Sequence, residues 1–221
     1  NAIDLFWKLM QINESPESFL IRDKGYSIIS CSPETLLLKK GDLIKTKPIA
    51  GTLRKTKKIN HNKALAFFRR NEKETKEHNM IVDMERNDLS KICKTGSVKI
   101  DKLKTVEEYR DLFHYVTTIK GVLKNKITNH DIISSLMPGG SVIGCPKIST
   151  IQLLNQKEKS DRNIYTGSFG IIHSNGDMRF NIMIRTLLNF KNAIELSVAS
   201  GVILGSTAKK EYDENYIKAK S

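Results

Sequence analysis

An Asn175-Gly176 pair stands between two apolar runs, residues 165–173 and 178–189. That dipeptide supplies the positive φ angles of a tight hairpin turn, so the two runs are expected as antiparallel strands. The same punctuation opens the chain. Residues 18–22 and 26–31 flank Asp23-Lys24-Gly25, and residues 35–38 and 43–46 flank Lys40-Gly41-Asp42. Residues 113–123 and 193–204 read as further strands. Helical spacing of Met80, Ile81, Met84 and Cys93 predicts a long helix over 72–93. Thr128 with Asp131 resembles a capping box and opens a helix through Leu136. Pro146 suits the first turn of another over 147–154, and a last helix starts near Ala208. The class is α+β, largely antiparallel β-sheets with helices packed on the outside.

A chain of 221 residues fits one domain, or at most two small ones, and buries a core without staples. No apolar run approaches the ~20 residues of a membrane span. The first residues, Asn1-Ala-Ile-Asp-Leu-Phe-Trp7, lack the basic-then-apolar order of a signal peptide. They also lack a starting Met, which is the expectation for a fragment. Cys31, Cys93 and Cys145 are too far apart for a disulfide framework or a zinc motif. Reduced thiols in a cytoplasmic protein are expected. The net charge of +13 invites a nucleic-acid reading. The lysines, however, are spread along the whole chain without an arginine-rich arm or interleaved aromatics. Such a surface attracts any small anion, a dicarboxylate included, and neither a nucleic acid nor a membrane is expected as partner.

Glu74 and Glu77 are three apart on the long helix, and Glu211 and Glu214 are three apart on the last one. Each pair shares a helix face. Brought together, the faces would repel unless a cation stood between them. Mg²⁺, a hard ion with oxygen ligands that keeps waters for a substrate, suits such a site. Spacing alone favours two solvated faces.

Pro138-Gly-Gly-Ser-Val-Ile-Gly-Cys-Pro-Lys147 has the glycine spacing of a phosphate loop at Gly139 and Gly144. Cys145 stands where that loop needs Lys, so a nucleotide site is rejected. What remains is a turn leading into a helix N-terminus, open equally to a structural role and to a carboxylate. Lys47-Pro-Ile-Ala-Gly-Thr52 reads as a turn. Arg185, in an otherwise apolar run, calls for an anionic ligand or an internal carboxylate. His114, in a strand between Phe113 and Tyr115, reads as structural.

Taken in order, these segments resemble the chorismate-utilising enzyme family, which includes anthranilate synthase component I, aminodeoxychorismate synthase component I, isochorismate synthase and salicylate synthase. The matching stretches are Ser32-Pro-Glu34, Pro48-Ile-Ala-Gly-Thr52, Glu77-His-Asn-Met-Ile-Val-Asp-Met-Glu-Arg-Asn-Asp-Leu89, Pro138 to Lys147, Tyr165-Thr-Gly-Ser-Phe-Gly170, Ile184-Arg-Thr186, and Glu211-Tyr-Asp-Glu214 with Lys218. The resemblance runs from about residue 18 to the end. It implies that residues 1–221 are one chorismate-binding catalytic domain without its opening strands or an N-terminal regulatory region.

The resemblance also implies roles. Glu77 and Glu214 match the core Mg²⁺ ligands, and Glu74 and Glu211 hold them or their waters. Glu34 matches the general acid that protonates the departing hydroxyl, so burial and a raised pKa are expected. Tyr165 and Arg185 match the residues that hold the enolpyruvyl carboxylate. Lys218 serves a substrate carboxylate or the metal carboxylates. Thr52, His114, Ser141, Gly144, Gly167 and Gly201 match pocket positions. All four glutamates, Tyr165 and Arg185 are expected around one cavity. Gly205-Ser206, Ser200 and Arg179 depart from the family pattern.

The implied activity is Mg²⁺-dependent amination of chorismate, of the aminodeoxychorismate synthase component I type, with ammonia from a glutamine amidotransferase subunit. Ala50 stands sixteen residues after Glu34, where many aminodeoxychorismate synthases carry a lysine that attacks the ring. Alanine there leaves the ring open to ammonia directly, as in anthranilate synthase, the near-equal alternative. Gly139-Gly-Ser141, Tyr165 to Ser168 and Phe180-Asn-Ile182 incline to the p-aminobenzoate type. Isochorismate and salicylate synthases rank lower, because their water-activating lysine lies in an opening strand absent here. An inactive chorismate-binding fragment is the non-enzyme alternative.

Overall fold

The computed structural model describes residues 1–109, 112–190 and 193–219. The side chains of Ala50, Lys73 and Ile217 lie outside the described part. The elements follow in order as α1 (Ala2–Ile12), β1 (Glu17–Asp23), β2 (Tyr26–Ser32), β3 (Thr35–Lys40), β4 (Leu43–Lys47), β5 (Ile49–Arg54), α2 (His61–Arg70), α3 (Glu72–Ile92), β6 (Lys99–Glu108), β7 (Leu112–Val122), α4 (Asn129–Leu136), α5 (Gly140–Ile143), α6 (Lys147–Lys157), β8 (Gly170–Ile172), β9 (Met178–Asn181), β10 (Thr186–Phe190), β11 (Ala193–Leu196) and α7 (Ala208–Ala219). They form two sheets. One has the order β1-β2-β10-β11; the other runs β5-β7-β4-β3-β9-β8, with β6 also on β7. The named pairings are antiparallel.

Strand β7 organises the larger sheet, because β4, β5 and β6 all pair with it. Its residues from Phe113 to Ile119 are buried. Helix α3 lies over this sheet. Val82, Leu89 and Ile92 face inward at helical spacing and meet Leu37, Ile44, Ile119, Ile132 and Met178, and Ile81 is buried as well. Burying one such side chain contributes about 1.5–3 kcal/mol. A second cluster, Ala64, Phe68, Phe113 and Tyr115, fills the space under α2, where the Phe68 and Tyr115 rings stack at 4.9 Å. Asn71 ends α2 and caps α3, its side chain accepting from the Glu74 N–H at 3.2 Å. The capping box of Thr128 and Asp131 opens α4.

Several expectations need correction. The turn at Asn175-Gly176 joins β8 and β9, but the run 178–189 is two strands in two sheets. The chain leaves β9 at Ile182, turns through Arg185 at φ +50°, and enters the other sheet as β10. Tyr165 and Gly167 lie in a turn closed by bonds from the Tyr165 N–H to Arg162 O and from the Gly167 N–H to Ile164 O. Only residues 170–172 of the expected strand 165–173 pair, and only Ala193–Leu196 of 193–204. The segment 47–52, read as a turn, contains most of β5, an edge strand bound to β7. The elements α1, α2 and β6 were not expected from the sequence. Helix α1 has a clear apolar period although none of its residues is buried, and in β6 the apolar residues Ile100, Leu103 and Val106 stand three apart rather than two.

Candidate active site

Two chain segments cross between the sheets side by side. Ser32-Pro33-Glu34 runs from β2 into β3, and Ile182–Arg185 runs from β9 into β10. They are bonded to each other along their length. Ser32 Oγ donates to Ile182 O at 2.6 Å, and the Ile182 N–H donates to Glu34 O at 3.1 Å. The Cys31 N–H donates to Arg185 O at 3.1 Å. Glu34 sits on one crossing and Arg185 on the other.

Glu34 is 4% exposed. Burial pushes its carboxyl up to about 7, against the Ser141 hydroxyl and the Ile49 N–H, which lower it. Ser141 Oγ donates to Glu34 Oε1 at 2.8 Å. Ser141 reaches it because Gly140 lies tight against Met84 of α3, with no room for a side chain. Gly144, at φ +102°, closes α5 with its N–H on Gly140 O at 2.9 Å. It stands at the end of the turn that presents Ser141.

Register pairs Thr52 of β5 with His114 of β7, and Thr52 Oγ1 stands 2.9 Å from His114 Nδ1. His114 is buried, and burial together with the nearby Arg185 charge pushes it down to about 4, although the Gly51 carbonyl and Glu107 oppose this. The ring is therefore neutral at pH 7. Burial lowers the pKa of Arg185, and Cys31 opposes it. Arg185 Nη1 is buried without a hydrogen-bond partner. An anion is the chemistry that would complete it.

Glu77, Glu211 and, through Lys218, Glu214 bear on the segment 199–201, while Glu74 lies against Gly51 of β5. A β-carbon on Gly201 would stand 2.5 Å from Glu77 Oε1, and one on Gly51 would stand 2.7 Å from Glu74 Oε2. On the other side, Ser200 Oγ donates to Glu211 O at 3.1 Å, and Lys218 Nζ donates to Ala199 O at 3.1 Å. Lys218 also pairs with Glu214 at 2.8 Å. The Ala199 N–H faces the Tyr165 hydroxyl, whose pKa burial raises. Gly167, beside Tyr165, accepts from the Met183 N–H at 2.9 Å, which ties that turn to the crossing that carries Arg185.

Helices α3 and α7 both bear on 199–201, and Tyr165 joins them. Arg185 lies on the crossing to which the Tyr165 turn is bonded through Met183, and its backbone carbonyl accepts from the Cys31 N–H. Among the described residues, no group of three or more His, Cys, Asp or Glu is gathered to hold a metal. The donor chemistry fits a hard cation, since each candidate offers carboxylate oxygen and two of them lie against glycines. Ala50, decisive in the reading of the product, has its side chain outside the described residues.

Charged residues without an assigned role are also held inside the fold or against it. Glu85, on α3, is 4% exposed and its Oε2 is buried without a partner. Asp88, one turn on, is held by Lys147 at 2.6 Å and Lys91 at 2.7 Å. The signal was present in the helix period: His78, Glu85 and Asp88 share the inward face with Ile81, Val82 and Leu89. Arg179, a departure from the family pattern, pairs with the buried Glu17 at 2.8 Å.

Comparison with known proteins gives a match of residues 1–221 to the family described as chorismate binding enzyme. Aminodeoxychorismate synthase component 1 of Bacillus subtilis (strain 168) is 38% identical over 216 residues, 97% of this chain and 46% of its own length. Anthranilate synthase component 1 1 of Haloarcula marismortui is 36% identical over 222 residues, 100% of this chain and 45% of its own. The crystal structure of anthranilate synthase component I from Streptococcus pneumoniae TIGR4 superposes with a TM-score of 0.89 at 34% identity, covering 100% of this chain and 49% of that one. The chain thus spans about half the length of the curated relatives it matches.

Proposed function

This chain belongs to the chorismate binding enzymes, and from that premise we propose that residues 1–221 form the catalytic domain for Mg²⁺-dependent amination of chorismate, of the aminodeoxychorismate synthase component I type. The observation that carries the reading is Glu34. It is a buried carboxyl, raised to about 7, held by Ser141 and seated on the crossing beside the one that bears Arg185. A carboxyl of that kind keeps its proton near neutral pH and can donate it to a departing hydroxyl, which leaves as water.

The other residues bind and orient. Arg185 offers a part-buried guanidinium to one substrate carboxylate in bidentate fashion. The neutral Thr52–His114 pair adds no competing positive charge beside it. Tyr165 and Lys218 bracket Ala199 and with Gly201 form the wall toward α7. Mg²⁺, held by Glu77 and Glu214 with Glu74 and Glu211 in support, would supply Lewis-acid polarisation of the ring carboxylate. Ammonia would come from a glutamine amidotransferase subunit. A cytoplasmic location accords with the sequence, and among the described residues no helix is long and apolar enough to cross a membrane.

Ala50 favours a second reading, anthranilate synthase, because it provides no amine to attack the ring. Product analysis of the full-length protein with chorismate, Mg²⁺ and ammonium separates the two. Aminodeoxychorismate supports the first reading and anthranilate the second. An unconsumed substrate would refute both.

A further inference from the structure

The segment between α6 and β8 carries a guanidinium that reaches two parts of the site from outside. Arg162 Nε donates to Glu158 Oε2 at 2.9 Å, and Nη2 donates to Glu158 Oε1 at 2.6 Å. Its Nη1 donates in two further directions, to Val142 O and to Thr166 Oγ1, each at 3.1 Å. Val142 follows Ser141, whose hydroxyl holds Glu34. Thr166 follows Tyr165, whose own N–H donates to Arg162 O.

Both acceptors stand where support is needed. The last carbonyls of a helix have no donor within it, and Val142 O belongs to the final turn of α5. Thr166 is buried, with its backbone left-handed at φ +65°. Such a conformation persists only where its surroundings over-determine it. The Thr166 hydroxyl is engaged on two sides, donating to Tyr165 O at 2.6 Å and accepting from Arg162. Glu158 fixes the plane of the guanidinium through the paired bonds, and its own N–H is tied to Leu154 O of α6 at 2.8 Å.

We infer that Arg162 is a positioning residue that holds the Ser141 turn and the Tyr165 turn at one fixed separation, so that the placement of Glu34 and the capture of substrate depend on a single side chain. The inference rests on the reading of Glu34 as the acid and Tyr165 as a substrate-binding group. A misplacement of ~1 Å at such groups costs on the order of 100-fold in rate. Lysine cannot substitute, because one ammonium cannot form the fork to Glu158 and also reach the other two acceptors.

Hydrogen exchange of the full-length protein without substrate tests the linkage apart from the chemistry. Arg162→Lys should speed exchange roughly fivefold in peptides 139–145 and 164–168 together. Thr166→Val should speed it in 164–168 only. Unchanged exchange of 139–145 in Arg162→Lys overturns the proposal.

Kinetics tests the positioning. Arg162→Lys should raise the KM for chorismate roughly tenfold. It should also move the alkaline limb of kcat/KM to higher pH, as Ser141→Ala does, because the Ser141 hydroxyl favours the ionised form of Glu34. Thr166→Val should raise KM and leave the limb in place. The double variant should raise KM no further than Arg162→Lys, since both changes sever one link. A merely structural Arg162 would lower kcat and leave KM and the limb at wild-type values, and that result overturns the proposal, as does an additive double variant. If Arg162→Lys does not fold, a wild-type KM in Thr166→Val overturns it alone. Coupled exchange in a protein that turns over chorismate without Glu34 would keep the linkage and remove the acid.

Discussion

Gly201 and Glu77 are in such close apposition that a β-carbon on the glycine would lie 2.5 Å from Glu77 Oε1. The obstructed atom is the far end of a flexible side chain, so folding can absorb an added methyl where the site cannot. Gly201→Ala is expected to cost less than about 1 kcal/mol in a denaturant titration, typical of changes that disturb no core packing. Chorismate turnover should fall at least roughly tenfold, the equivalent of ~1.4 kcal/mol in the transition state. Gly51→Ala is the contrast, since there the methyl also meets the Phe68 ring at 2.8 Å and stability should fall as well. Wild-type turnover in Gly201→Ala would separate Glu77 from the chemistry.

Glu34 makes stability depend on pH. Below the ordinary carboxyl value of 4.5 it is protonated in folded and unfolded chains alike. As pH rises to about 7 the unfolded chain releases the proton and the folded chain keeps it. Stability therefore drops over that window. Glu34→Gln removes the penalty. Relative to wild type it should gain on the order of 3 kcal/mol between pH 5 and pH 8, while losing turnover. Unfolding midpoints at the two pH values measure the gain, and a pH-independent difference would contradict the burial argument.

Arg185 combines a proposed binding role with an awkward backbone. Its φ of +50° lies where a side chain costs roughly 1–2 kcal/mol. Arg185→Gly should be more stable than Arg185→Ala by about 1 kcal/mol, although both lose chorismate affinity. Arg185→Lys should bind weakly too, because an ammonium lacks the planar fork. Calorimetry of chorismate binding beside thermal unfolding tests both halves, and wild-type affinity in the lysine variant would sink the carboxylate assignment.

Position 50 bears on the reaction. With alanine there, peptide mass spectrometry after mixing with chorismate should show residues 45–54 unmodified. Ala50→Lys installs an amine whose pKa falls on partial desolvation, leaving neutral nucleophile, and should form an adduct. Aminodeoxychorismate made by the wild-type protein with no adduct would show that position 50 does not decide the product.

The class, the turn at Asn175-Gly176, the capping box at Thr128 and the long helix α3 were legible because each rests on local chemistry. The strand β5 was not. Its residues look like a turn until β7 lies beside them to take their hydrogen bonds. The break between β9 and β10 was also invisible, since an apolar run does not reveal that its two ends join different sheets. Glu34 and the two Glu-x-x-Glu pairs stood out through motif order. Glu85 did not, although three polar residues on an apolar helix face were there to be read. Arg179 is explained only by a partner 162 residues away, Glu17.

The paired crossings between the sheets also bear on how the protein acquires its chemistry. The bonds that hold Glu34 beside the other crossing span about 150 positions of sequence, as the Ser32 bond to Ile182 does. Contacts so distant form only after the loop-closure entropy between them has been overcome. No early hairpin contains Glu34 together with Arg185. A nascent or partly folded chain therefore forms secondary structure before these two residues are brought side by side.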